Sequence, residues 1–209
     1  MAFKIGIAQP SFSLGGTLGT GKEDSTMHVV MDISVFESEK SSSPFFKEKA
    51  EIKKDGKNYY SSFSGIELML GTNYIVMVNA KERQVVCSNR NAALENDFSR
   101  SMLTSMDSLL RTSPTPKSIA VIDSVQQFQV LPERGEIEQA DFYVHQKGNR
   151  LVRVEYRYNN GQYALIHFVV FDRGIVFKPF EVSERKYFTE EQGNIKIREP
   201  YSRFRFVWN

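Results

Sequence analysis

The closest approach to a reactive constellation is the run Gly16-Thr17-Leu18-Gly19-Thr20-Gly21-Lys22. A glycine-rich loop ending in lysine can cradle phosphates with its backbone N–H groups while the lysine reaches the outer phosphates. The next position should be Ser or Thr to hold magnesium, and here it is Glu23. A helix should follow, yet Met27 to Val35 is β-branched and carries apolar residues at odd positions, which is strand patterning. The run therefore reads as part of a flexible glycine-rich leader over residues 1–24.

The remaining reactive side chains are scattered. Cys87 is alone, so neither an intrachain disulfide nor a thiolate metal site can form, and its setting in Gln84-Val85-Val86-Cys87-Ser88 reads as a small buried strand residue. His145 and His167 fall on strands that flank a common neighbour, separated by about 12 Å from strand spacing and rise, too far to share a metal. His28 stands in the first strand with no carboxylate spacing around it. Glu181, Glu184 and the pair Glu190-Glu191 sit among Lys and Arg in a turn-rich stretch and read as solvated. No nucleophile elbow, zincin helix or Ser/His/Asp order is present. The expectation is a protein that is not an enzyme and needs no cofactor or metal.

Charge and composition narrow the partners. The 209 residues carry a net charge of +2 with acids and bases interleaved, as in Lys47-Glu48-Lys49-Ala50-Glu51, which argues against nucleic acid as a partner. No apolar run reaches the length of a membrane-spanning helix. Ile5-Gly6-Ile7-Ala8 before Gln9 resembles the tail of a secretory signal but is shorter than a full apolar core. Either the start is truncated or misplaced or the segment is a loose end; the expected location is the periplasm, with the cytoplasm as the alternative. Sixteen Phe and nine Tyr must be buried or must line something.

The elements that would position these residues are mainly strands. Asp55-Gly56, Ala80-Lys81-Glu82, Gly148-Asn149 and Asn160-Gly161 punctuate hairpins. Two-residue turns at the last two sites predict Tyr156 opposite Leu165, Val154 opposite His167 and Tyr143, and Val152 opposite Val169 and His145, all on an inward face. Arg153, Glu155 and Arg157 then share the other face with Ala164, Ile166 and Phe168. Tyr74-Ile75-Val76-Met77-Val78 is apolar on both faces and reads as a central strand covered on both sides. Leu94 to Arg111 reads as the one helix, with Leu94, Phe98, Met102, Met106, Leu109 and Leu110 in a stripe and Pro114 and Pro116 beyond it. Ser118 to Leu131 reads as strand. The predicted fold is mainly β (α+β): one domain over residues 25–209, a single curved antiparallel sheet of about nine to eleven strands forming an unclosed barrel lidded by the helix.

Lys49-Ala50-Glu51-Ile52-Lys53, the aromatic strand after it, Glu67 through Asn79 and Gln84-Val85-Val86 together resemble the LolA/LolB-like outer-membrane lipoprotein carrier superfamily over residues 46–110. Lys54-Asp55-Gly56 stands where that family tends to place Arg-Pro, and residues 1–26 hold too many glycines for its leading helix. The resemblance implies an unclosed barrel whose apolar concave face receives acyl chains. The expected function is binding of an acyl chain or a lipoprotein's lipid anchor in the envelope, lined by Phe98, Met102, Met106, Tyr156, Leu165 and Val169. The alternative is an interaction or scaffolding module, its barrel filled by its own side chains, that binds a protein partner at the rim.

Overall fold

Odd positions of the first strand, β1 (Thr26–Phe36), are buried as the alternation requires: Met27, Val29, Met31 and Ile33 all lie at or below 6% exposure. This strand is the middle of a curved sheet in the computed structural model, which describes residues 26–91, 116–148, 150–191 and 194–209. To one side the chain lays down β2 (Phe46–Asp55), β3 (Asn58–Phe63), β4 (Ile66–Leu70), β5 (Tyr74–Asn79) and β6 (Gln84–Asn89) as successive hairpins. It resumes at the far edge with β7 (Lys117–Ile122) and works inward through β8 (Val125–Val130), β9 (Ile137–His145) and β10 (Arg150–Tyr158). β11 (Tyr163–Arg173) then closes against the free side of β1, and the sheet does not close into a barrel.

After β11 the chain crosses the outer face of β3–β6. A 3-10 turn at Glu184–Lys186, the hairpin β12 (Phe188–Glu191) and β13 (Asn194–Ile197), and a second 3-10 turn at Tyr201–Arg203 form this cover. Their Val182, Tyr187, Phe188 and Tyr201 pack on Tyr60, Met69, Val76, Val78, Val85 and Cys87. The final strand, β14 (Arg205–Trp208), runs parallel to β6.

The mainly β class and the curved, unclosed sheet match the expectation, while several details differ. Among the described residues the sheet has twelve strands, more than expected, and its β14–β6 pair is parallel. Ser118 to Leu131 is a hairpin and not one strand: Asp123 (φ 49°) and Ser124 (φ 67°) make its turn. Both central residues have the positive φ of a primed turn without a glycine to announce it. The helix expected over Leu94 to Arg111, its Phe98, Met102 and Met106, the leader and the Gly16–Lys22 run lie outside the described residues.

The register of β9, β10 and β11 slips by one residue from the expected pairing. Gly161 (φ 86°) is the last residue of a three-residue loop, with the Tyr158 N–H bonded to the Gln162 carbonyl, so Tyr156 pairs with Ala164 and Val154 with Ile166. On the other side His145 pairs with Arg150 across a longer loop, and a shift after Leu151 sets Val154 against Phe142. β10 keeps its expected facing at Val154 and Tyr156, but at its start Leu151, 0% exposed, enters the core in place of the expected Val152, and β9 and β11 present the opposite set of side chains. Ala164, Ile166, Phe168, Phe142 and Val144 are the buried ones, whereas His145, Tyr143, His167, Leu165 and Val169 share the outer face with Arg153. Val169 is the extra residue where the β1–β11 register shifts, and it is 55% exposed.

Candidate functional site

The inner face has two regions of different character. Across β1, β2 and β8–β11 it is a sealed core: Val29, Met31, Phe142, Leu151 and Val154 are 0% exposed, and Tyr156 is 6% exposed among them. Across β4–β6 the same face continues through registered neighbours, Phe63 opposite Ile66, Leu68 opposite Met77, Met77 opposite Val86, and Val86 opposite Val207. Here burial is incomplete, with Ile66 44% and Met77 39% exposed and Leu68, Val86 and Val207 half-buried. The result is an apolar strip that runs off the core onto open sheet.

The opposite face explains why residue pattern does not single out this strip. Tyr74, Val76 and Val78 point to the outer face and are covered by the C-terminal segment, while on the inner face of β5 Ile75 is 3% and Met77 39% exposed. Sequence pattern alone reports two apolar faces and not what covers each. The signal that could have found the strip is the alternation Ile66-Glu67-Leu68-Met69-Leu70.

Of the six side chains expected to line a ligand surface, Tyr156 lies in the sealed core, Leu165 and Val169 lie on the other face, and Phe98, Met102 and Met106 lie outside the described residues. The slipped register separates Tyr156 from Leu165 and Val169, so these three do not form one surface.

Polar groups on the outer face form three clusters. On β9–β11, Asp141 (1% exposed) accepts from Arg157 at 2.5 Å, Gln139 at 2.6 Å and Gln127 at 3.2 Å. Arg157 also grips Glu39 through two nitrogens, at 2.7 and 3.1 Å. The Glu39 hydrogen bond, reinforced by Asp141, raises the guanidinium pKa further against the effect of burial. Arg153 lies over the Tyr143 ring at 3.8 Å with Nε 3.1 Å from Glu155.

The second cluster joins strand to cover. His28 and Lys53 meet Glu51 at 2.8 and 3.2 Å, and Lys53 donates to Glu181 at 2.7 Å. Burial alone would raise the Glu51 carboxyl, but the His28 hydrogen bond and the Lys53 charge outweigh it and hold it low. Sequence spacing could not have paired His28 with Glu51, because the two meet diagonally across the β1–β2 ladder. The third cluster is built on Glu67, which accepts from Lys186 at 2.6 Å, Tyr201 at 2.9 Å and Tyr187 at 3.1 Å.

Glu184, expected in solvent, is 6% exposed and accepts the backbone N–H groups of Thr72 and Asn73 at 3.0 and 3.2 Å. These clusters tie elements together and hold no assembled catalytic machinery. Cys87 is 0% exposed and burial pushes its thiol up to about 12, so no thiolate is offered. Among the described residues, His28 contacts a carboxylate and His145 a backbone carbonyl at 3.2 Å, and neither is joined to a hydroxyl or thiol. No group of three potential metal ligands comes together among them, and no helix among them is long and apolar enough to cross a membrane.

No family model and no curated protein matches the chain. Solved structures do. An uncharacterized conserved protein from Thermus thermophilus aligns over 90% of this chain and 91% of its own at 9% identity, with a TM-score of 0.49. A MucA/MucB complex from Pseudomonas aeruginosa aligns over 88% of this chain and 61% of that one at 8% identity and TM-score 0.45. A LolA superfamily protein from Nitrosomonas europaea aligns over 78% of this chain and 92% of its own at 9% identity and TM-score 0.31.

Proposed function

We infer that this protein is a non-enzymatic binder that holds an acyl chain, free or as the lipid anchor of a lipoprotein, against the inner face of its sheet. The observation that carries the reading is the half-open strip Ile66, Leu68, Met77, Val86, continuous with a sealed core and unmatched by polar groups at its centre. Covering such a strip with hydrocarbon contributes about 25 cal/mol per Å² of apolar surface removed from water. Met77 adapts to chains of different shape because its side chain is unbranched. Phe98, Met102 and Met106 supply further apolar wall in this proposal, and the envelope is the compartment such a carrier would serve.

The sealed half of the face favours a second reading, a self-filled module that binds a protein partner, since Met31, Phe142 and Leu151 leave no room there. Mass spectrometry of the purified protein for co-purified lipid, with titration of a fluorescent fatty-acid analogue, separates the two. The carrier reading expects bound lipid and a saturable signal that Met77→Arg or Met102→Arg abolishes with the far-ultraviolet circular dichroism unchanged. Absence of both lipid and probe binding in the unmodified protein transfers the conclusion to the protein-binding module.

A further inference from the structure

We propose that the open strip of the inner face ends in a carboxylate site, where Arg205 holds the ionised head of a free fatty acid. The proposal rests on the acyl-binding reading and narrows it. The acyl groups of a lipoprotein's lipid anchor are esters or amides and carry no charge for an arginine to hold.

Three successive rows of registered side chains cross the inner face of β4–β6. In the first, Leu70 pairs with Ile75, and the two are 5% and 3% exposed. In the second, Leu68, Met77, Val86 and Val207 make the half-open strip. In the third, Ile66 pairs with Asn79, Asn79 with Gln84, and Gln84 with Arg205. The face therefore passes from closed hydrocarbon through open hydrocarbon to a polar border in two steps of about 6.6 Å each, the rise of two strand residues. Arg205 and Val207 are alternate residues of β14 and share a face, so the cation adjoins the strip along its own strand as well as through Gln84.

Charge on this border is unbalanced. The third row holds no carboxylate, and the β5–β6 turn beside it carries Lys81, Glu82 and Arg83. Lys81 offsets Glu82, while Arg83 leans away, its guanidinium 6.0 Å from the Phe204 ring that packs with the C-terminal cover. Asn79 Oδ1 accepts the N–H groups of Lys81 and Glu82 at 3.1 and 3.2 Å, so this oxygen is satisfied within the turn. Arg205 is exposed and makes no ion pair among the described residues, and its backbone N–H is fixed by the Arg83 carbonyl at 2.8 Å. A guanidinium offers a carboxylate a planar fork of paired N–H donors, and its methylene stem prolongs the apolar surface toward the head. A fatty acid with its tail toward Leu70 and Ile75 and its carboxylate at Arg205 meets the three rows in order of their polarity.

Dodecanoate and 1-dodecanol, titrated against the intact protein at fixed ionic strength and at a pH where the acid is ionised, differ only in the head. The proposal expects dodecanoate to bind about tenfold more tightly. Arg205→Gln should bring the two ligands to one affinity with dodecanol binding and thermal unfolding unchanged, because the altered side chain is exposed. Arg205→Lys, which keeps the charge without the fork, should keep part of the preference. Equal affinities in the unmodified protein, or a preference that survives Arg205→Gln, overturn the carboxylate site and leave the acyl reading standing. Binding of neither ligand overturns the acyl reading and this proposal with it.

Discussion

The carboxylate of Glu184 fills the space beside Gly71 where any other residue would carry its side chain: a Cβ there would stand 1.9 Å from Oε2 and 2.6 Å from Cδ of Glu184. The carboxylate enters that gap to accept the N–H groups of Thr72 and Asn73 in the β4–β5 turn. A charged acceptor on two backbone donors in a buried site contributes about 1.5 to 3 kcal/mol per bond. Gly71→Ala should therefore displace Glu184 and cost about 2 kcal/mol or more, and Glu184→Ala should cost a similar amount, read by denaturant titration. Additive losses in the double variant would show that the two sites do not share this contact.

Glu67 holds the C-terminal cover through Lys186, Tyr187 and Tyr201. Tyr201→Phe and Tyr187→Phe should each cost about 1 kcal/mol, and combining either with Glu67→Leu should cost less than the sum. Fully additive losses in such a cycle would count against a shared network.

Arg157 is the counter-ion of a carboxylate that has almost no access to water, Asp141 at 1% exposure. Arg157→Met should cost about 3 kcal/mol because it strands that charge. Glu39→Ala removes only the exposed partner, whose side chain is 56% accessible, and should cost less than about 1 kcal/mol. Comparable losses for the two variants would contradict the burial of Asp141 as the source of the effect.

Acid should loosen the Lys53 link between β2 and the C-terminal cover. The Lys53 hydrogen bond, against burial, holds the Glu181 carboxyl below its ordinary 4.5, and Glu51 is also held low. A lowered folded-state pKa means the stabilisation is present above about pH 4.5 and is lost as pH falls through the folded value. Both groups are about a third exposed, so each contributes less than about 1 kcal/mol. Unfolding free energies measured between pH 6 and pH 3 should fall less for Lys53→Met than for the unmodified protein, and identical slopes would exclude this link.

The one-residue register can be read with thiol reagents, because Cys87 is buried and its raised pKa makes it inert. Val169→Cys should be modified rapidly in the native protein, and Ile166→Cys, at a site 5% exposed, only after unfolding. The reverse order would restore the register set by two-residue turns.

Local alternation determined the burial of Met27 to Ile33 and the inward facing of Val154 and Tyr156, because a strand's two faces are written in its own residue order. Glycine and asparagine marked where the chain turns, and the β-rich class followed from the number of such turns. Loop length lay beyond that reading: Asn160-Gly161 fits a two-residue turn or the end of a three-residue one, and that single residue decides whether Leu165 or Ile166 meets the core. Coverage was equally hidden. Only the fold brings residues 181–201 back over β3–β6, turning Glu184 from a solvent group into a buried clasp and leaving Ile66 and Met77 half open on the other side.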